Sequence, residues 1–226
     1  MQCVILAAGE GTRMRPLTET MPKPLVRVCG VPLIEHIVRP LPAAIDELII
    51  VIGYKGEMIR EYCGTEFLGR KVSYVEQANP KAGTADALMY ARDIAKGKFL
   101  VLYADDIHGA DALAEVVLKE AGMLAARSET PEKFGVLVLY ENGTLKEIVE
   151  KPKVPPSNYV NIGGFVVTED IFRVHTALSS SGEYYLTDTV TEYAKTHPVT
   201  VVEQAVWIPV GCPEDIPKAE AVVCAR

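Results

Sequence analysis

The residues whose types and spacing best suit chemistry lie near the amino terminus, in a glycine-rich loop that carries two cations. The apolar run Val4 to Leu6 leads into the small residues Ala7, Ala8, Gly9 and Gly11, which Thr12 and Arg13 follow. Lys23 lies further along, between two prolines. Small residues let backbone N–H groups approach anionic oxygens closely, and the two cations add positive charge. The pattern predicts a phosphate site at the end of a buried strand.

Two common phosphate-binding motifs do not fit this loop. The dinucleotide motif G-x-G-x-x-G fails because Met14 stands where its third glycine is required. The P-loop fails because no Gly-Lys-Ser/Thr follows. A tight strand-to-loop turn without a ligand would explain the glycines but would need neither Arg13 nor Lys23.

The charge balance argues against a nucleic-acid partner. The 226 residues carry 23 Lys and Arg against 30 Asp and Glu, for a net charge of −7. No global basic field is present to attract a polyanion, so the cations are expected to act locally on a small anionic ligand. With 49% hydrophobic residues, the chain is long enough to bury a substantial core, and we expect one domain over 1–226.

The five cysteines, Cys3, Cys29, Cys63, Cys212 and Cys224, are scattered and odd in number. They form no CxxC pair and no disulfide framework, so we expect reduced thiols. The apolar run at the amino terminus stops at Gly9, and no later segment has the length to cross a bilayer. These features predict a cytoplasmic protein without a membrane partner.

Strand-length apolar runs alternate with helix-like segments through the first half. The runs are Val4 to Leu6, Leu48 to Ile52, Val72 to Val75 and Phe99 to Tyr103, and the helix-like segments are Ile34 to Arg39, Glu57 to Tyr62 and Ala85 to Ile94. This alternation predicts an α/β fold with a mostly parallel central sheet flanked by helices. Ligands bind beyond the carboxyl ends of such strands, where the glycine loop and Asp105 both fall.

The pattern changes after Lys119. Val136 to Tyr140 and Leu145 to Glu150 flank an Asn-Gly pair, which predicts a small antiparallel hairpin insertion. A strand from Val160 to Thr168, helices from Glu169 and about Leu186, a strand near Val199 to Glu203 and a last helix from Pro213 to Cys224 are expected to follow. We therefore divide the domain into halves of about 1–120 and 121–226.

The run LAAGEGTRMRPLT, with Lys23 beyond it, resembles the signature of the sugar-1-phosphate nucleotidyltransferases, whose fold is Rossmann-like. The resemblance covers essentially the whole chain as a single-domain form. GTRM, GTADAL and GEYYLTD are more typical of the acetylglucosamine-1-phosphate uridylyltransferase branch than of the thymidylyltransferases, which the chain also resembles. The β-helix acetyltransferase domain of bifunctional members has no counterpart, so we expect no acetyl transfer.

The resemblance implies roles for residues of the first half. Arg13, Lys23 and Asp105 are the implied catalytic residues. The nucleotide would be bound by Leu6, Ala7, Ala8, Gly9, Gly11, Thr12, Arg13, Gln77, Gly83 and Thr84. The Gln77 amide can pair with a pyrimidine edge but can also meet purines. Thr84 fits a nucleotide contact and a plain helix cap equally well.

Asp105 directly follows a buried strand, where it can hold a hard cation. NTP chemistry needs such a cation, and Mg²⁺ usually takes one or two protein carboxylates. Many family members place a second ligand after a tryptophan near the end, but here Pro209 stands at that position and cannot ligate. Either Asp105 alone binds the metal among the protein's side chains, or Asp106 or Asp188 supplies the second ligand in place of residue 209.

Sugar recognition is expected from the second half, where several further motifs occur in the family's order. The implied sugar-phosphate contacts are Gly135, Glu150, Lys151, Asn161, Tyr185 and Thr187. Carboxylate and amide groups can bracket sugar hydroxyls, and a lysine can pair with the sugar phosphate.

The implied activity joins an NTP to a sugar 1-phosphate and releases pyrophosphate with Mg²⁺. UTP or dTTP and acetylglucosamine or glucose 1-phosphate are the expected substrates. Mannose-1-phosphate guanylyltransferase is an alternative activity. Because Pro209 replaces a metal ligand, a non-catalytic regulator that binds nucleotide sugars is a second alternative. The apolar helix faces fit packing against the sheet and a homo-oligomer equally.

Overall fold

The apolar runs of the first half form neighbouring parallel strands in the computed structural model. The structure describes residues 1–179 and 181–225, so Ser180 and Arg226 of the predicted domain lie outside the described residues. The strands are β1 Gln2–Leu6, β2 Arg27–Val28, β3 Val31–Pro32, β4 Glu47–Ile52, β5 Glu66–Phe67, β6 Arg70–Glu76, β7 Lys98–Tyr103, β8 Asp106–His108, β9 Gly122–Arg127, β10 Gly135–Leu139, β11 Leu145–Glu150, β12 Tyr159–Thr168, β13 Thr200–Glu203 and β14 Trp207–Pro209. The helices are α1 Leu33–Val38, α2 Gly56–Cys63, α3 Thr84–Met89, α4 Ala110–Val116, α5 Leu186–Ala194 and α6 Ile216–Val223.

One large sheet runs through the protein. Its path is β11-β10-β12-β7-β1-β4-β6-β5, and β9 joins it by pairing with both β12 and β13. β1 is central and pairs in parallel with β4 and β7, so Ile5 lies opposite Ile50 on one side and Leu102 on the other. The predicted mostly parallel sheet with flanking helices is confirmed, and the ends of β1 and β7 meet at one edge.

Side chains alternate along β1 between two hydrophobic layers. Cys3 and Ile5 pack into the cluster on one face of the sheet, whereas Val4 and Leu6 pack into the cluster on the other. Alternation follows from the pleat, which sends successive side chains to opposite faces. A continuous apolar run is therefore what a strand buried on both faces requires.

The second half extends the same sheet with antiparallel strands. β12 pairs antiparallel with β7, and β10 pairs antiparallel with both β12 and β11. The predicted hairpin is thus the β10–β11 pair at the edge of the main sheet. β9, which the sequence analysis did not predict, pairs with β12 and carries the buried residues Met123 to Ala125.

Three predicted helices are shorter than expected. The last one begins at Ile216, after a 3₁₀ turn over Pro213–Asp215, and ends at Val223. The helix predicted from Glu169 is a 3₁₀ segment, Glu169–Arg173, because the chain is extended by Val174 while Phe172 stacks on Phe99 with ring centroids 5.6 Å apart. The helix predicted over Ala85 to Ile94 ends at Met89. Beyond Met89 the chain continues in turns, in which the N–H groups of Tyr90, Ala91 and Ile94 donate to carbonyls three residues earlier.

The expectation of five reduced cysteines was wrong. Cys29 and Cys224 form a disulfide across a sequence separation of 195, with Cα atoms 5.9 Å apart. Among the described residues Cys3, Cys63 and Cys212 are free. The β2–β3 hairpin carries Cys29 against α6, and the backbone N–H of Cys29 donates to Glu220 Oε1 over 3.1 Å. Sequence spacing did not predict this pairing because only the fold brings the hairpin and α6 together.

Candidate active site

A cavity of about 700 Å³ opens at the carboxyl ends of β1 and β7 and extends to the second half of the chain. This volume lies within the ordinary range for small-molecule sites. Its wall includes all the residues assigned to catalysis, nucleotide binding and sugar-phosphate binding: Leu6, Ala7, Ala8, Gly9, Gly11, Thr12, Arg13, Lys23, Gln77, Gly83, Thr84, Asp105, Gly135, Glu150, Lys151, Asn161, Tyr185 and Thr187. Asp106 lines the cavity too, but Asp188 is not part of the wall.

The glycine loop offers unpaired backbone donors to the cavity. Ala7 N–H still pairs with Val51 O over 2.8 Å, as a continuation of the sheet. In the described parts of the chain, the N–H groups of Ala8, Gly9 and Gly11 donate to no other residue. Gly11 has φ 61, and its carbonyl accepts from the Thr18 hydroxyl over 2.8 Å. The loop therefore has a fixed shape with free donors, as an anion-binding concavity requires.

Lys23 and Asp105 meet across the cavity. Lys23 Nζ lies 2.7 Å from Asp105 Oδ2, although the two residues come from different segments of the first half. Lys23 is buried in a 3₁₀ turn, and Asp105 follows β7. Burial of the Lys23 charge is costly without a close partner, and the partly exposed Asp105 carboxylate supplies that partner.

Arg13 lies on the other side of the glycine loop, beside a turn of the carboxyl-terminal segment. A Cβ added to Gly211 would lie 3.6 Å from Arg13 Nη1, so the glycine leaves room for the guanidinium. Asp215 Oδ2 accepts from the N–H groups of Gly211 and Cys212 over 3.0 and 3.1 Å and fixes this turn. The turn that borders the Arg13 guanidinium therefore has a fixed backbone, and Arg13 itself lines the cavity.

Gln77 is held by hydrogen bonds to its amide nitrogen. Nε2 donates to Gly83 O over 3.1 Å and to Asp86 Oδ2 over 2.8 Å. The Gln77 side chain is buried in the cavity wall. The amide thus has one fixed orientation.

Thr84 makes a contact that neither predicted role included. It is the first residue of α3, and its hydroxyl oxygen accepts from the backbone N–H of Leu186 over 3.0 Å. Leu186 begins α5, so Thr84 satisfies a free donor at the start of a helix distant in sequence. Thr84 therefore caps the start of α5 rather than the start of α3.

The sugar-phosphate candidates line the same cavity from the second half of the chain. Gly135 pairs with Glu150 across β10 and β11, and a Cβ on the glycine would lie 3.1 Å from Glu150 Oε2. Asn161 Oδ1 accepts from Gly163 N–H over 3.1 Å, which leaves the amide nitrogen as a donor. The buried Thr187 hydroxyl has no hydrogen-bond partner among the described residues. Carboxylate, amide and hydroxyl groups together can bind a polyol.

Pro209, at the expected second-ligand position, lies opposite Asp106 in the β8–β14 pair. Trp207 Nε1 donates to Asp106 Oδ1 over 2.7 Å. Burial and the neighbouring Asp105 charge raise the pKa of Asp106 well above its usual range. No group of three or more His, Cys, Asp or Glu side chains in the described segments is arranged to hold a metal by itself.

His108 lies behind this wall as a buried neutral imidazole. Its Nδ1 is 2.7 Å from Gln204 Nε2, and its Nε2 has no partner in the described chain. Burial lowers the pKa of His108 to about 4, although the charge of Asp105 opposes the shift. The imidazole therefore stays uncharged at neutral pH.

Sequence reasoning missed several cavity residues, among them Tyr103, Lys133, Glu183 and Asp215. Tyr103 is the last residue of β7, two residues before Asp105, and this position at the end of the strand could have predicted that it lines the cavity. Lys133 follows Thr130-Pro131, and Asp215 follows Cys212-Pro213, in short turns whose direction the sequence does not reveal.

Comparison with known proteins gives the family. A model described as Nucleotidyl transferase matches residues 2–226. The chain belongs to the nucleotidyl transferase family. Over 233 residues it is 34% identical to a family relative named UTP–glucose-1-phosphate uridylyltransferase AglF from Haloferax volcanii, covering 97% of this chain and 95% of AglF. A solved UDP-glucose pyrophosphorylase in complex with UDP-glucose has a TM-score of 0.87 at 25% identity, covering 100% of this chain and 99% of the other.

Other relatives in the family are longer. Over 222 residues the chain is 34% identical to the bifunctional protein GlmU of Methanocaldococcus jannaschii, covering 97% of this chain and 53% of GlmU. The chain thus spans about half the length of such relatives. None of the helices described here is both long and apolar enough to pass through a membrane.

Proposed function

We propose that this protein transfers a nucleotidyl group from an NTP to a sugar 1-phosphate and releases pyrophosphate. One observation carries the proposal. A single cavity combines three features. They are the free amides of the glycine loop, the Lys23–Asp105 pair at 2.7 Å, and a polar wall that includes Glu150, Lys151, Asn161 and Thr187. The first group suits phosphates, the second suits charge neutralisation and the third suits a sugar. The names of the relatives support the same activity.

In the proposed reaction an oxygen of the sugar 1-phosphate attacks the α-phosphorus of the NTP in line. The bond from that phosphorus to the bridging oxygen breaks, and pyrophosphate leaves with the electron pair. A phosphate monoester is already largely ionised at neutral pH, because its second pKa is ~6. No general base is needed, so catalysis consists of orienting two anions and neutralising their repulsion.

Residues of this chain supply that orientation and neutralisation. Arg13 and Lys23 bring positive charge to the same cavity as the glycine loop, and the N–H groups of Ala8, Gly9 and Gly11 provide donors there. Donors that are already fixed stabilise developing negative charge without reorganising during the reaction. We assign Gln77 to the base, and Glu150, Lys151 and Asn161 to the sugar phosphate.

The carboxylates present fit a magnesium site completed by substrate. Asp105 Oδ2 is paired with Lys23 and Asp106 Oδ1 with Trp207, so the other oxygen of each carboxylate is left for a cation. Mg²⁺ commonly binds one or two protein carboxylates together with phosphates and water. We propose Asp105 as the ligand, with Asp106 beside it; when bound, Mg²⁺ would neutralise charge on the NTP phosphates.

The proposed substrates are UTP or dTTP with acetylglucosamine or glucose 1-phosphate. The names of AglF and of the UDP-glucose complex support uracil and glucose, and GTP with mannose 1-phosphate is the alternative. We propose one domain with a nucleotide half of about 1–120 and a sugar half of about 121–226. We propose a cytoplasmic location, where both substrates of such a reaction are available.

Pro209 favours a second candidate function, that of a nucleotide-sugar-binding regulator without catalysis. It occupies the cavity wall opposite Asp106, where a carboxylate or amide side chain would add a metal ligand. The intact Lys23–Asp105 pair favours catalysis, because burial of the Lys23 charge is destabilising unless that charge serves a function.

Pyrophosphate release tests both functions. The assay combines UTP, dTTP, GTP, CTP or ATP with glucose, acetylglucosamine or mannose 1-phosphate. Each combination is measured once with Mg²⁺ and once with EDTA. We expect release with UTP or dTTP that disappears in EDTA. If no combination releases pyrophosphate but calorimetry still shows binding of UTP or UDP-glucose, the result would support the non-catalytic regulator instead.

A further inference from the structure

We propose that Asp86 selects the nucleobase by fixing the Gln77 amide so that its carbonyl oxygen faces the cavity. That oxygen would accept from the ring N–H of uracil or thymine and would reject cytosine, whose corresponding nitrogen carries a lone pair. The inference rests on the proposed function, because it assigns the base to Gln77. Asp86 acts here as a positioning residue.

The amide orientation follows from the chemistry of its two partners. Nε2 lies 3.1 Å from Gly83 O and 2.8 Å from Asp86 Oδ2. A carbonyl oxygen and an ionised carboxylate only accept hydrogen bonds. A rotated amide would place Oε1 against both of them and lose two bonds at once. Oε1 is therefore the polar atom left for a ligand, and no donor among the described residues contacts it.

Asp86 supplies the stronger of the two anchors. Its bond to Nε2 is the shorter one and involves a charged acceptor, and charge-assisted hydrogen bonds are roughly twice as strong as neutral ones. Asp86 lies in the first turn of α3 and is partly shielded from water. Among the described residues, loss of the carboxylate would leave Gly83 O as the one remaining hydrogen-bond partner of Nε2.

The surrounding backbone keeps the anchors in place. Gln77 N–H donates to Ile52 O over 2.9 Å, so the residue continues the sheet beyond β6. Gly83 has φ 101, and a Cβ there would collide with Tyr184 O. Ala85 N–H in turn donates to Tyr184 O over 2.9 Å. The amide is thus preorganised between two rigid segments.

A fixed acceptor discriminates between two bases of equal size. Uracil presents N3–H to the acceptor, whereas cytosine presents the N3 lone pair, leaving two acceptors facing each other. An unpaired buried polar group costs more than a missing hydrogen bond, so such a site rejects the wrong partner strongly. The ratio of kcat/KM for UTP to that for CTP measures this discrimination directly.

The test compares Asp86→Leu with two controls. Leucine has a similar size but no acceptor, and we expect the UTP-to-CTP ratio to fall by about tenfold, with the KM for the sugar phosphate unchanged. Asp86→Asn keeps an acceptor oxygen and should restore most of the ratio. Asp93→Leu alters a nearby carboxylate whose side chain is 88% exposed and should leave the ratio unchanged.

A second measurement uses the unaltered protein and does not depend on how a variant folds. N3-methyl-UTP lacks the ring N–H, and we expect its kcat/KM to fall at least tenfold below that of UTP. Equal use of the two nucleotides, or an unchanged ratio in a folded Asp86→Leu, would overturn the inference. If the wild-type protein turned over no NTP at all, the proposed function would fail, and the role of Asp86 in catalysis would fall with it.

Discussion

The hydroxyl oxygen of Thr84, at the start of α3, accepts a 3.0 Å hydrogen bond from the backbone N–H of Leu186, at the start of α5. Two backbone bonds flank this contact, from Ala85 N–H to Tyr184 O over 2.9 Å and from Tyr184 N–H to Ala82 O over 2.8 Å. The helix beside Gln77 is therefore joined to the segment that carries the sugar-phosphate candidates. Three hydrogen bonds thus tie the start of α3 to the start of α5.

We predict that Thr84→Val weakens sugar-phosphate binding more than nucleotide binding. Valine keeps the shape of threonine but cannot accept the Leu186 N–H, so the start of α5 loses a cap worth about 1 kcal/mol of unfolding free energy. Steady-state kinetics should give a raised KM for the sugar phosphate, and Thr84→Ser should restore it. Equal changes in the two KM values would argue against this coupling.

We predict that Lys23→Ala lowers kcat by about 10²- to 10³-fold, because a fixed charge that stabilises the transferring group is removed. Far-UV circular dichroism should be unchanged, since Lys23 lies in a 3₁₀ turn outside the main sheet. Lys71→Ala is the matched control, because that side chain is 74% exposed on β6. Near-normal turnover of Lys23→Ala would remove Lys23 from the catalytic assignment.

We predict different outcomes for alanine at two glycines with the same backbone conformation. Gly163 and Gly143 both have φ 79. A Cβ at Gly143 meets nothing within 4 Å, whereas one at Gly163 would collide with the Tyr103 ring and lie 3.0 Å from Asp106 Oδ2. Gly143→Ala should cost only the backbone strain, of order 1 kcal/mol, and keep activity.

Gly163→Ala should cost a further 1–3 kcal/mol or so from overpacking and should also lower kcat, because Tyr103 and Asp106 line the cavity. Urea unfolding and pyrophosphate release measure the two effects separately. A loss of stability no larger than that of Gly143→Ala would mean that the Tyr103 ring moves aside freely.

We predict that His108 makes the protein less stable as the pH falls from about 6.5 to about 4. Burial lowers the pKa of His108 from 6.5 to about 4, so in this window the unfolded chain binds a proton that the folded chain does not. The free energy of unfolding therefore rises with pH there, by up to about 3 kcal/mol. His108→Gln should flatten this part of the pH profile in urea titrations; an unchanged slope would assign the pH dependence to other groups.

Much of the site was predictable because its residues follow strand ends. The glycine loop follows β1 and Asp105 follows β7, and parallel strands bring their carboxyl ends to one edge. The partner of Thr84 was not predictable, because Leu186 lies far along the chain and nothing in its spacing marks the contact. Asp188 was a plausible ligand by residue type, but the cavity wall contains Thr187 and not Asp188.

The pairing of Cys29 with Cys224 was not predictable from the sequence either, and it makes most of the polypeptide a covalent ring. The bond closes a covalent ring over a separation of 195 residues, so most peptide bonds of the protein lie inside it. A single proteolytic cut between these cysteines would open the ring without releasing a fragment. The nicked protein should migrate as one species on a gel without reductant and as two pieces after dithiothreitol.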